Sequence, residues 1–154
     1  MLEITPMPLD SDVGAGLVEA VQAEYVVRYG GPDATPMTAG EFASPQGGFL
    51  VALLDGEPVA CGGFRRLGDG VAEVKRMYVT PSARGRGLAR QLLRALEEAA
   101  AASGCKRVIL ETGYAQPEAV GLYTSSGYGP VPAFGEYRCA PGSRHFGKYL
   151  TART

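Results

Sequence analysis

The chain has 154 residues, 45% of them hydrophobic and 20% charged, which suits one globular domain and excludes a disordered, collagen-like or coiled-coil protein. Fifteen Lys and Arg against 16 Asp and Glu leave a formal net charge of −1, so no basic excess argues for nucleic acid. Three scattered cysteines (Cys61, Cys105, Cys139) and one histidine, His145, offer neither a disulfide framework nor a metal-ligand set.

In chain order, Leu17–Arg28 repeats apolar residues at three- and four-residue steps and predicts an amphipathic helix that stops at Gly30-Gly31-Pro32. A short helix is expected near Thr38–Phe42. Phe49–Leu54 is an apolar run of strand length, and Asp55-Gly56 signals a hairpin into Pro58–Phe64. Gly68-Asp69-Gly70 turns into a third strand, Val71–Val79, which makes an antiparallel meander. Thr80-Pro81 ends it. A helix over Leu88–Ala102 follows, with Leu88, Leu92, Leu93 and Leu96 on one stripe and Ser103-Gly104 as its stop. Strand Arg107–Thr112 comes next, so strand, helix and strand form a βαβ crossover with parallel strands. A shorter helix, Pro117–Ser125, and two strands in Tyr128–Leu150 complete the chain. The fold class is therefore α/β, a mixed and mainly antiparallel central sheet with a βαβ crossover and helices on both faces. The whole of 1–154 reads as a single domain. The N-terminal residues lack a leader pattern and no stretch reaches 18 apolar residues, so a cytoplasmic protein that meets no membrane is expected.

The chemistry concentrates between Val79 and Arg90. A helix N-terminus carries unpaired amides and the positive end of the helix dipole, and here Gly85 and Gly87 allow close backbone approach. Arg84, Arg86 and Arg90 add positive charge. Such a place suits a phosphate or pyrophosphate. No Lys-Ser or Lys-Thr follows the glycines, which disfavours a P-loop, and Arg90 breaks the dinucleotide fingerprint at its third position.

Arg84-Gly85-Arg86-Gly87-Leu88-Ala89 resembles the pyrophosphate loop Gln/Arg-x-x-Gly-x-Gly/Ala of the GNAT superfamily of acyl-CoA-dependent N-acetyltransferases. The strand Ala72–Val79 is similar to that family's fourth strand, including its acidic residue. Gln116-Pro117-Glu118-Ala119-Val120-Gly121-Leu122-Tyr123, followed by Gly127-Tyr128, resembles the second family motif, with Gln116 where asparagine is usual. The resemblance implies the family fold and acetyl-CoA as acetyl donor, with no metal. It implies that the backbone of Met77, Tyr78 and Val79 holds the pantetheine arm and that the amides of Arg84, Gly85, Arg86, Gly87, Leu88 and Ala89 hold the pyrophosphate. Gln116 and Tyr123 would also meet the cofactor.

For catalysis the resemblance points to Glu73 as the base, and Tyr123 is the candidate acid because a phenol stays protonated near neutrality. The alternative reading of Glu73 is a salt bridge to Lys75, two residues along on the same strand face. The acceptor would be a primary amine of a small molecule, entering near Tyr25, Tyr29, Phe134, Tyr137 and Arg138. Arg65, Arg66, Arg138 and Arg144 have two readings, solvated surface arginines, the commoner case, or groups that favour an acceptor with a carboxylate. Acetylation of a protein N-terminus or lysine, and a non-catalytic acyl-CoA-binding regulatory module, are the alternatives. Homodimerisation is open.

Overall fold

The computed structural model describes residues 1–150 apart from Pro36, Tyr114, Ala115, Glu136 and Pro141. Seven strands run β1 (Leu2–Pro6), β2 (Gly47–Leu54), β3 (Glu57–Gly68), β4 (Val71–Val79), β5 (Arg107–Thr112), β6 (Gly129–Pro130) and β7 (Arg144–Tyr149). Three helices join them: α1 (Asp12–Tyr29), α2 (Leu88–Ala102) and α3 (Pro117–Ser125). The sheet order is β1-β2-β3-β4-β5-β7-β6, with every neighbouring pair antiparallel except β4 and β5. The mixed sheet and the crossover agree with the sequence reading.

Two elements differ from it. Leu2–Pro6 forms an edge strand, paired from Leu2–Leu54 to Pro6–Leu50, that the sequence reading left unassigned. Helix α1 starts five residues earlier than Leu17. Ser11 caps it by accepting the Gly14 amide at 3.1 Å, a bond that satisfies one of the orphan donors of the first turn. Gly14 and Gly16 hid that turn from the periodicity. A Cβ on Gly14 would come within 2.6 Å of the Pro8 carbonyl, so the helix entry requires a residue without one.

Helices cover both faces because each face is apolar. Leu88, Leu92, Leu93, Leu96 and Ala100 of α2 are buried against Leu50, Ala52, Phe64, Ala72 and Val74. On the other face Leu17 and Val21 of α1 meet Phe49, Val51, Cys61 and Tyr78. Leu96 is fully buried and packs beside Gly62, where an added Cβ would lie 2.9 Å from its methyl group. Leu96→Ala is expected to lower stability by about 3 kcal/mol, the usual cost of lost transfer energy plus a cavity. Urea titration should show this as a lower midpoint at unchanged slope.

One feature of the sheet creates the site. Strands β4 and β5 pair in parallel only over Val71–Glu73 and Arg107–Ile109. Beyond Glu73 the β4 edge has no β5 partner, and a gap opens between the two strand ends. Within the same stretch β4 is bulged. Gly63 faces Lys75 while Cys61 faces Tyr78, so β4 carries one residue more than β3, and Arg76 takes φ +61°. The extra residue interrupts the alternation of side chains and sets Lys75 and Arg76 on one side of the sheet.

Candidate active site

Two cavities, of about 540 and 300 Å³, meet in the gap. The larger is walled by Met77, Tyr78 and Val79, by the loop from Ala83 to Arg90, and by α3. The smaller lies between the end of α1, β4, the end of β5 and the segment around Tyr137. Met77, Gln116 and Tyr123 line both. A molecule in one can therefore present a group to a molecule in the other.

The larger cavity ends on the loop that the sequence singled out. Ala83, 3% exposed, anchors the loop, and Gly85 and Gly87 both adopt left-handed backbone, φ +81° and +75°. Gly87 is the α2 N-cap and has no side chain to occupy the first-turn amides, which stay available to an anion. A Cβ on either glycine would meet nothing within 4 Å, so backbone conformation, and not crowding, requires them. Gly87→Ala should cost about 1 to 2 kcal/mol of stability through its left-handed φ. The methyl group would also stand at the phosphate approach. Calorimetry should show acetyl-CoA affinity reduced more than tenfold, a larger loss than the melting shift explains.

The arginines of the loop are less free than their sequence position suggests. Arg84 donates from Nε to the Val79 carbonyl at 2.9 Å, pairs with Glu24 of α1 and lies over the Tyr78 ring. Arg90 donates to the hydroxyls of Ser125 and Ser126 at 2.8 and 3.0 Å, which ties α2 to the end of α3. Arg86 is exposed. The first-turn amides of α2 are thus less engaged within the chain than Arg84 and Arg90 are.

The smaller cavity holds a buried charge cluster. Lys75 Nζ lies 2.9 Å from Asp33, 3.5 Å from Glu111 and 3.2 Å from the Thr35 hydroxyl, and Arg76 Nη1 also pairs with Asp33. Burial alone would raise the Asp33 carboxyl. Lys75, the Thr35 amide and Arg76 outweigh it and hold the group well below the usual carboxylate range. Its ionised form therefore adds stability above about pH 4, and that stability is lost as the pH falls toward its depressed folded value. Glu111 differs. Burial pushes its carboxyl above the ordinary value and nearby Asp33 adds to this, against the opposing pull of Lys75.

Glu73 lies elsewhere. It is 5% exposed, accepts Arg65 Nε at 3.0 Å and lines neither cavity. Arg65 also reaches Glu41 at 3.3 Å. The Glu73–Lys75 salt bridge does not form, since the ion pairs of Lys75 are with Asp33 and Glu111. Antiparallel pairing explains the first arrangement, because Arg65 sits directly opposite Glu73 on β3. The cavity carboxylates Asp33 and Glu111 were absent from the sequence candidates.

Tyr123 is 6% exposed and packs against the rings of Tyr128 and Phe146, with centroids 5.9 and 6.3 Å away. Burial, with Glu111 adding, raises its phenol above the ordinary value, so it keeps its proton throughout the physiological range. No described residue accepts its hydroxyl proton. Gln116 donates from Nε2 to the Tyr29 hydroxyl at 3.1 Å, so this side chain is engaged across the junction of the cavities. Of the expected acceptor residues, Tyr25, Tyr29 and Tyr137 line the smaller cavity. Phe134 instead meets the His145 ring edge-to-face, and Arg138 turns back to the Gly135 carbonyl. Arg66 and Arg144 are exposed, and neither lines a cavity. Among the described residues no cluster of three His, Cys, Asp or Glu could hold a metal ion, and no helix is long and apolar enough to cross a membrane.

The fold is that of acyl-CoA N-acyltransferases. A Klebsiella pneumoniae protein assigned to that class superposes with a TM-score of 0.82 at 31% identity, over 98% of this chain and 99% of the other. A GNAT acetyltransferase from Elizabethkingia anophelis, solved with acetyl-CoA bound, shares the fold at 14% identity and a TM-score of 0.69, over 97% and 98% of the two chains. An Azospirillum brasilense IAA acetyltransferase is 41% identical over 96 residues, 62% of this chain and 63% of that relative, so the match spans less than two thirds of its length. Residues 16–128 match the model of the acetyltransferase (GNAT) family. The chain belongs to the GNAT acetyltransferase family, whose acyl donor is acetyl-CoA.

Proposed function

We propose that the protein transfers the acetyl group of acetyl-CoA to the primary amine of a small molecule, with both substrates bound at once. The observation that carries this reading is the junction of the two cavities at Met77, Gln116 and Tyr123. The larger cavity suits the coenzyme. Its first-turn amides at Gly87–Ala89 match a pyrophosphate, and the β4 edge beyond Glu73 offers alternating N–H and C=O groups to the amides of a pantetheine arm. The bound coenzyme supplies a thioester whose carbonyl carbon accepts the amine.

The chain's own groups then handle protons. An acceptor ammonium must lose a proton before its nitrogen can attack. Glu111 lines the acceptor cavity with a carboxyl that burial raises above its ordinary value, which makes it a better proton acceptor than a solvated glutamate. Glu73, engaged by Arg65, acts in this reading as a buttress of the β3–β4 pair. As the carbon–sulfur bond breaks, Tyr123 donates its hydroxyl proton to the departing thiolate and regains one from the N–H lost by the product amide. Across the cycle one proton is released through Glu111. A β4 amide beside the bulge serves the carbonyl oxygen as charge develops on it.

A small acceptor fits better than a protein chain. The Tyr137 hydroxyl accepts the Ala34 amide at 2.7 Å and so joins the segment after α1 to the segment before β7 across the cavity. An open groove for a polypeptide would need that contact broken. The test is thiol release from acetyl-CoA over a panel of small amines and short peptides. Release with small amines, and much less with peptides, is expected. Acetyl-CoA binding without release on any acceptor would favour the regulatory module instead.

A further inference from the structure

The acceptor cavity contains more cationic binding capacity than its own carboxylates use. The β4 bulge holds Arg76 at φ +61°, a left-handed conformation that is strained for a non-glycine residue. That strain sets two consecutive cations, Lys75 and Arg76, into one cavity wall, each 6% exposed. Both share a single carboxylate, Asp33. The hydrogen bond of Arg76 to Asp33 uses one of five guanidinium N–H donors, and its Nε is buried with no partner among the described residues. The hydroxyl of Thr112, on the same cavity wall, is likewise buried and unpartnered. Buried donors left without acceptors are costly, so two residues that line this cavity, Arg76 and Thr112, keep hydrogen-bonding capacity that no described residue uses.

Charge balance points the same way. With Glu111 ionised, two cations face two anions. An acceptor ammonium brings one uncompensated positive charge into that cavity, and passing its proton to Glu111 leaves the charge there, with Lys75 and Arg76 facing Asp33 alone. A carboxylate on the acceptor keeps the cavity neutral both before and after the transfer, in a buried place where an unpaired charge is expensive. We infer that the acceptor is an amino carboxylate, an amino acid or a close analogue, with its carboxylate docked against Arg76 and Lys75 and its amine directed to Glu111. Guanidinium suits this because its planar fork matches the two oxygens of a carboxylate. The inference rests on the acetyltransferase reading and narrows its substrate class. The product is an N-acetyl amino acid. A new C–N bond replaces the C–S bond, and free coenzyme A thiol leaves with one proton.

The experiment compares matched acceptors on the wild-type protein. The amino acids are assayed for thiol release beside their decarboxylated amines and their methyl esters. At least one amino acid should exceed its own amine and ester by more than 100-fold in kcat/KM. Arg76→Gln should bring that ratio close to one, and Arg76→Lys, which keeps the charge and loses the fork, should leave about tenfold. Asp33 keeps Lys75 as partner in either variant, and a melting curve checks that each folds. Equal or faster acetylation of the decarboxylated amines, or release with no amino acid, overturns the inference while leaving acetyl transfer to amines intact. Failure of the wild-type protein to bind acetyl-CoA overturns the underlying reading instead.

Discussion

Glu111→Gln should lower kcat by about 10²- to 10³-fold, within the range for loss of a general base, while acetyl-CoA affinity stays within twofold. The two effects separate because Glu111 lines only the acceptor cavity. The pH profile gives the sharper readout. Glu111 must be ionised to take a proton, and its carboxyl is raised by burial, so kcat of the wild type rises with pH through a limb displaced above the ordinary glutamate value. The variant should lose that limb. Stability follows the opposite sense. A folded carboxyl that keeps its proton to higher pH contributes fully below about pH 4.3, and that contribution is lost as pH rises through the folded value. The glutamine variant is therefore expected to match the wild type at low pH and to gain relative stability above it, partly offset by the lost contact to Lys75. Glu73→Gln is the control. It breaks the bond to Arg65 and should reduce stability by about 1 to 3 kcal/mol, yet leave the pH limb in place. A lost limb in Glu73→Gln, with the limb kept in Glu111→Gln, would return the basic role to Glu73.

Tyr123→Phe is expected to lower turnover by about 10²-fold with little change in acetyl-CoA affinity or melting temperature. The ring is held by Tyr128 and Phe146, contacts that phenylalanine reproduces. The hydroxyl donates to no described residue, so removing it leaves no described partner unsatisfied. Only the proton transfer to the thiolate is lost. That transfer matters most for a leaving group in a water-poor site, where a free thiolate is poorly solvated. Pre-steady-state measurement separates the outcomes. Slower thiol release after normal acetyl-CoA loading supports the acid role, whereas equal losses in loading and release would assign Tyr123 to binding.

The fold was legible where the sequence repeats a period or carries turn chemistry. The α2 stripe, the Asp55-Gly56 hairpin and the crossover all report local rules that the tertiary structure reinforces. Leu2–Pro6 alternates as a strand should, Leu2 and Ile4 against Glu3 and Thr5, but five residues without a turn signal carry little weight until β2 is there to pair with them. The start of α1 was missed because glycines at 14 and 16 argue against a helix locally, and only the cap at Ser11 and the approach to Pro8 reverse that argument.

The site was half legible for a different reason. In the proposed reading a loop such as Arg84–Ala89 acts through its backbone, and glycines advertise backbone geometry in the sequence. The smaller cavity is lined by side chains from distant segments. Asp33 lies in the stretch after α1, Glu111 is the next-to-last residue of β5, and Lys75 and Arg76 sit at a bulge that no local residue pattern announces. Glu73 and Lys75 do share a strand face by alternation, but Arg65 across the ladder and Asp33 from outside it decide their partners. Cross-strand and loop contacts outweigh proximity in sequence.

The most direct measurement is calorimetric titration of the protein with acetyl-CoA, repeated with the acetylated pantetheine fragment that lacks the diphosphate. One-to-one association with the full coenzyme is predicted, weakened at least 100-fold for the fragment, because the amides at the α2 N-terminus supply the grip. No heat with either compound, or equal affinity for both, would contradict the assignment of the larger cavity on which every catalytic role rests.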